Sequence, residues 1–262
     1  MATYLDRILE SHRAAAAADD RDLAELIDAA RSLAPTRGFA AALMTAAGDG
    51  LAVIAEVKRR SPSKGELAID LDPAAMGEAY EQGGATALSV LTDADFFGGS
   101  AADLGAARAA VTIPVLRKDF TVGARDVCDA RLMGADAVLL IVAALDDEEL
   151  ASMHALAAEL GLDALVEVHD ERELERALAA GASLVGVNQR DLVTFEVDTA
   201  RAVRVAAGMP SGVLRVAESG IQGPADLPAL VDAGFHAVLV GESVVTSGDP
   251  GASVAALRAV RR

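Results

Sequence analysis

Glu56 and Lys58 stand two residues apart in a short apolar run, so on a strand both side chains point to one face and a carboxylate meets an ammonium. Lys118 and Glu167 arrive separately, each at the downstream end of another apolar run. One such pair reads equally well as a structural ion pair. Four charges gathered at one opening do not, because desolvating them costs stability unless chemistry uses them. Opposite charges gathered in this way suit acid–base chemistry.

Two glycine turns supply a second kind of site. In Ser219-Gly220-Ile221-Gln222 and Gly241-Glu242-Ser243, bare backbone N–H groups can approach an anion with no Cβ in the way. Either turn alone is weak evidence, since glycine also merely makes turns. Two on adjacent strands point to a phosphorylated small molecule. The chain carries 23 Lys+Arg against 40 Asp+Glu, a net charge of −17, so the anion needs a local attractor such as Lys58. The same charge argues against nucleic acid and anionic membranes as partners. Asn188 and Arg190 alternate to one side, and Arg190 can clamp a carboxylate in bidentate fashion. Its alternative is an ion pair with Asp191 or Glu167. Aromatic residues are only 3% of the chain, so Phe96, Phe97 and Phe120 in neighbouring loops suggest an aromatic part of the ligand, or loops packed down by a ring.

The elements that must position these groups are legible as eight apolar runs: 51–57, 86–91, 114–116, 137–142, 164–168, 184–187, 213–217 and 237–240. Their continuous apolarity suits strands buried on both faces of a parallel sheet, and segments of helical spacing lie between them. Gly84, Gly134, Gly181 and Gly234 recur at intervals of about 50 residues, each placed where a helix ends and a strand begins. Together these predict an α/β fold, a (β/α)8 TIM barrel in a chain of 262 residues, with an open doubly wound sheet as the alternative. The expected organisation is a single domain over 1–262. Residues 1–50 form an N-terminal extension of one or two helices, broken at Pro35 to Gly38, over the bottom or rim of the barrel. In such a barrel the chemistry lies at the C-terminal strand ends, where the charged residues fall.

Charged residues interrupt the apolar positions of residues 1–22, which excludes a signal peptide, and no apolar run is long enough to span a membrane, so a cytoplasmic protein is expected. One cysteine, Cys128, cannot form an internal disulfide and reads as a small residue on a helix face. His12, His154, His169 and His236 show no metal-ligand spacing, so no metal is expected. A monomer or a weak homodimer fits the acidic surface.

At this point the residues resemble the indole-3-glycerol-phosphate synthase family of tryptophan biosynthesis. The resemblance rests on the stretches Ala55 to Gly65, Leu91-Thr92-Asp93 with Phe97 to Ser100, Leu116 to Phe120, Leu165 to His169, Gly186 to Leu192, Val216 to Ile221 and Val240 to Ser243. It implies ring closure of 1-(2-carboxyphenylamino)-1-deoxyribulose 5-phosphate to indole-3-glycerol phosphate, with loss of carbon dioxide and water and without a cofactor. It also implies catalytic positions at Glu56, Lys58, Lys118, Glu167, Asn188 and Ser219. Binding positions would be Ser61, Phe97, Phe120, Arg190, Glu218, Gly220, Gly241 and Glu242. Arg60 departs from the pattern, standing where relatives more often carry a small residue. Competing readings are phosphoribosylanthranilate isomerase, which resembles a Cys and Asp pair at strand ends, and a phosphate-binding barrel without turnover.

Overall fold

Val, Leu, Ile and Ala fill the eight runs, and in the computed structural model, which describes residues 3–62 and 64–261, each becomes a strand. These are β1 (Ala52–Val57), β2 (Ala87–Leu91), β3 (Val115–Lys118), β4 (Ala137–Ile141), β5 (Asp163–Val168), β6 (Leu184–Asn188), β7 (Leu214–Glu218) and β8 (Ala237–Val240). Each pairs in parallel with its neighbours in chain order, and β1 closes the ring by pairing with both β2 and β8. The closed barrel excludes the open sheet. The four recurring glycines all adopt positive φ between 78° and 91°, the left-handed turn that ends a helix and admits the next strand.

Because side chains alternate along a strand, each inward position near the mouth has an inward neighbour two residues deeper. Ile54 lies below Glu56, Leu116 below Lys118, Leu165 below Glu167 and Val216 below Glu218. The lower positions are apolar and buried, so the barrel is a packed core with a charged upper layer.

The extension differs from expectation in number and in placement. Among the described residues, three helices precede β1: α1 (Tyr4–Ala18), α2 (Leu23–Arg31) and α3 (Phe39–Ala46). The break at Pro35 to Gly38 separates α2 from α3, whose run of Phe, Ala, Leu and Met has no polar face and buries Phe39 and Leu43 completely. Such a helix lacks the periodic contrast by which an amphipathic one is recognised. The backbone N–H of Ala40 donates to Asp163 Oδ2 at 2.8 Å and that of Arg37 to buried Asp136 Oδ1 at 2.8 Å, which docks α3 under the strand entrances. Helix α1 lies at the opposite end. It starts from a Thr3–Asp6 capping box, and Arg13 holds it down through Glu149 at 2.7 Å. The extension therefore covers both ends of the barrel. No helix among the described residues is long and apolar enough to cross a membrane.

Candidate active site

Three strands that are far apart in the chain deliver one buried charge cluster. Lys118 Nζ, at the end of β3, is 2.9 Å from Glu167 Oε2 at the end of β5 and 3.6 Å from Glu218 Oε2 at the end of β7. Asn188, closing β6, donates from Nδ2 to Glu167 Oε1 at 3.0 Å, and its own Oδ1 accepts from the Arg190 backbone N–H at 3.0 Å, which fixes the amide. Glu167 and Glu218 are 1% and 2% exposed, so neither carboxylate is solvated. Burial alone would raise Glu167. Lys118, His169 and the Asn188 amide outweigh it and hold the carboxyl well below its ordinary range. Burial and the Glu167 anion act together on Glu218 and push it up to about 8, which favours its protonated form. Burial opposes the charge on Lys118, but Glu167, Glu218 and Glu56 raise its ammonium above its usual value.

The room for Glu218 comes from a residue the charge pattern does not announce. A Cβ on Gly186, inside β6, would lie 1.9 Å from Glu218 Oε1. Glycine inside a strand marks such a close approach, and that is the signal by which Gly186 can be found in a sequence.

The second charge pair lies nearer the rim. Lys58 Nζ donates to Glu56 Oε1 at 2.5 Å, so the two do share the inner face of β1. Ser89 Oγ reaches Glu56 Oε2 at 3.5 Å from β2, and buried Tyr80 donates its hydroxyl to the Glu56 carbonyl at 3.2 Å. Gly241 abuts this pair: a Cβ there would stand 2.5 Å from Glu56 Oε1 and 3.1 Å from Lys58 Nζ. The neighbouring bend places both Ser219 and Gly220 at positive φ, 64° and 73°, an uncommon backbone for serine. Ser243 Oγ ties the two bends by donating to the Ile221 carbonyl at 2.9 Å. Gly220, Gly241, Lys58, Glu56, Lys118, Glu167 and Glu218 all line one pocket.

The remaining wall is apolar. Phe97 and Phe120 line the pocket with ring centroids 6.2 Å apart, while Phe96 instead packs edge-on against Tyr4 at 5.7 Å. Helix α1 contributes Tyr4, Leu5 and Ile8 to the lining, a role that sequence spacing did not reveal. Ser61 lines the mouth from a hairpin of Arg60–Ser61 with Gly65–Glu66; Ser63 of the same loop lies outside the described residues. Arg60 donates to the Asp95 carbonyl and packs over Gly98, linking this loop to the one after β2. Arg190 pairs with neither Asp191 nor Glu167. Its Nη2 is 3.7 Å from Glu242 Oε2, its Nη1 donates to the Phe195 carbonyl at 3.2 Å, and Arg201 takes Asp191 at 3.8 Å. Lys64 also reaches Glu242, at 3.6 Å.

Distance in the chain hides one more cluster. His12 Nε2 on α1 is 2.9 Å from Asp93 Oδ2 and 3.9 Å from Asp119 Oδ1. The protein's own donors already engage both acids: Asp93 accepts from the N–H groups of Phe96 and Phe97, and Asp119 from Arg117 and Thr92. Cys128 is buried inside the helix Ala124–Leu132 and is not among the residues lining the pocket.

The fold and the mouth define a (β/α)8 barrel carrying a mixed-charge pocket at its C-terminal face. Among solved structures, a thiamine phosphate pyrophosphorylase from Pyrococcus furiosus superposes with a TM-score of 0.60 over 79% of this chain and 94% of its own, at 17% identity. A 3-hexulose-6-phosphate synthase gives 0.61 over 80% and 99%, also at 17% identity, and both likenesses establish the fold alone. The profile of the indole-3-glycerol phosphate synthase family matches residues 5–257. The indole-3-glycerol phosphate synthase of Mycolicibacterium smegmatis is 54% identical over 98% of this chain and 94% of its own length. That of Mycobacterium tuberculosis is 53% identical over the same shares. The chain belongs to the indole-3-glycerol phosphate synthase family.

Proposed function

We propose that the chain closes the indole ring of 1-(2-carboxyphenylamino)-1-deoxyribulose 5-phosphate, releasing carbon dioxide and water to give indole-3-glycerol phosphate. The observation that carries the reading is the Lys118 ammonium, set between Glu167 and Glu218 in the same pocket as the Gly220 and Gly241 bends. The substrate phosphate is assigned to those bends, with Lys58 as the local cation that an acidic protein needs. The anthranilate ring packs on Phe97 and Phe120, and Arg190 takes its carboxylate. The Glu242 side chain repels either anion, so it acts by aiming Arg190 and Lys64, and its backbone serves the phosphate bend.

Attack of the aryl carbon on the ketone places negative charge on the carbonyl oxygen, and Lys118 supplies the proton. The iminium that results is the electron sink for the adjacent carboxylate, so carbon dioxide leaves without a cofactor. Glu167 remains an anion and stabilises this cation, held in place by Asn188. Dehydration then needs a base for the ring proton and an acid for the departing hydroxyl. Glu56 and Lys58, 2.5 Å apart, divide that work. Ser219 and Ser61 contact the substrate beside the bends, with the Ser219 carbonyl fixed by Gln189 Nε2 at 2.8 Å.

Formation of the indole chromophore by purified protein tests the reading directly, and an inactive protein that still binds the substrate would instead support a phosphate-binding barrel. A Lys118→Ala variant with unchanged turnover would remove Lys118 from its role. The isomerase alternative needs a thiol at a strand end, which buried Cys128 does not offer. Residues 1–262 are read as one barrel domain including its 1–50 extension, acting in the cytoplasm as a monomer or weak homodimer without nucleic-acid or membrane partners. The net charge of −17 supports the last point, and sedimentation measures the oligomeric state.

A further inference from the structure

His169 immediately follows β5, two residues past Glu167, and no step above uses it. Its imidazole stands between two carboxylates. On one side Nδ1 is 3.0 Å from Oε2 of Glu173, in the helix Glu171–Ala179, and the same oxygen accepts the His169 backbone N–H at 2.7 Å. On the other side Nε2 points toward Glu167 Oε1 at 3.6 Å and is a buried polar atom with no hydrogen-bond partner among the described residues. An ionised carboxylate only accepts, and a neutral imidazole offers a hydrogen at one nitrogen alone. With Nδ1–H bound to Glu173, neutral His169 would turn a bare lone pair toward the Glu167 anion. Only the imidazolium presents hydrogen to both.

We infer that His169 is a positioning residue for the proposed ring closure: as a cation aligned by Glu173, it holds Glu167 ionised, so that the site's remaining proton resides on Glu218. Glu167 then has donors or cations on three sides, Lys118, Asn188 and His169, whereas among the described residues Glu218 pairs with Lys118 alone. The groups facing the imidazole are Glu167 from β5, Glu173 from the helix Glu171–Ala179, and Arg201 from the helix Arg201–Ala206, whose guanidinium opposes the charge but is turned toward Asp191 and the Asn188 carbonyl. The sum still raises His169 above its ordinary value: burial disfavours the cation, and the two glutamates outweigh it. The assignment rests on the catalytic role of Glu167 proposed above.

Two measurements test it. In ring-nitrogen NMR of the whole protein, both His169 nitrogens should show imidazolium shifts at about pH 6, and the titration midpoint should fall by about one unit in Glu173→Gln and in Glu167→Gln. In kinetics, His169→Gln should lose about tenfold in kcat at about pH 6 with KM within about twofold. That deficit should shrink as pH rises through the midpoint that the NMR titration reads for His169, because the wild type then loses its own imidazolium. A neutral His169 at about pH 6, or a deficit that stays constant with pH, overturns the inference. Should Glu167→Gln keep wild-type kcat while the NMR result holds, the role given to Glu167 fails and the charge state of His169 stands.

Discussion

The mouth holds two cation–carboxylate groups built in opposite ways. Glu56 and Lys58 are neighbours on one strand, so any extended backbone would bring them together. Lys118, Glu167 and Glu218 come from β3, β5 and β7, and exist as a group only when the barrel closes. Their stoichiometry differs too. The rim pair matches one acid with one base, whereas the deep group sets two buried carboxylates against one ammonium, a surplus of negative charge that raises Glu218 and favours a shared proton. Local spacing makes an ion pair; closure makes a proton reservoir.

The sharpest way to separate the two groups is to remove each cation. Lys118→Met should lower kcat by about 10³ or more, since it deletes the acid for ring closure and takes the nearest cation away from Glu167. Lys58→Met should cost about 10² in kcat and also raise KM about tenfold, because the same ammonium serves dehydration and the anion. Equal effects in steady-state assays would erase the distinction. A smaller effect comes from filling the space around each group. Gly186→Ala pushes a methyl against Glu218 in the packed interior and should destabilise by about 1 to 3 kcal/mol in chemical denaturation. Gly241→Ala, at the more open rim, should act mainly on KM.

The smallest effect carries a sign. The folded state raises Glu218 from 4.5 to about 8, so below the lower value the residue is protonated whether folded or not and costs nothing. Between the two values folding must take up a proton, and stability falls as pH rises toward the upper one. Glu218→Gln removes that cost. Relative to wild type it should gain about 1 kcal/mol at alkaline pH and nothing near pH 4, while its kcat falls. Thermal melts at the two pH extremes read the difference.

Most of the strand framework was legible in the sequence because parallel barrel strands are continuously apolar, and a Glu or Lys inside such a run has no packing reason to be there. That contrast marks Glu56, Lys58, Lys118 and Glu167 in the sequence itself. Other features were illegible for equally physical reasons. Helix α3 is apolar all round and shows no helical stripe. The Arg190–Glu242 pair joins two loops whose meeting depends on barrel geometry, and the adjacent Asp191 offered a more obvious partner. His169 shows only spacing to Glu167; its second carboxylate lies a helical turn further on. Tyr4, Leu5 and Ile8 look like the buried stripe of any amphipathic helix, and nothing in their order says that the surface they cover is a pocket.

That placement of α1 has a consequence for synthesis. Arg13 is anchored by a residue 136 positions downstream and His12 by one 81 positions downstream. A ribosome therefore releases this segment long before its docking surface has been translated, and until then its apolar stripe is open to chaperones and proteases.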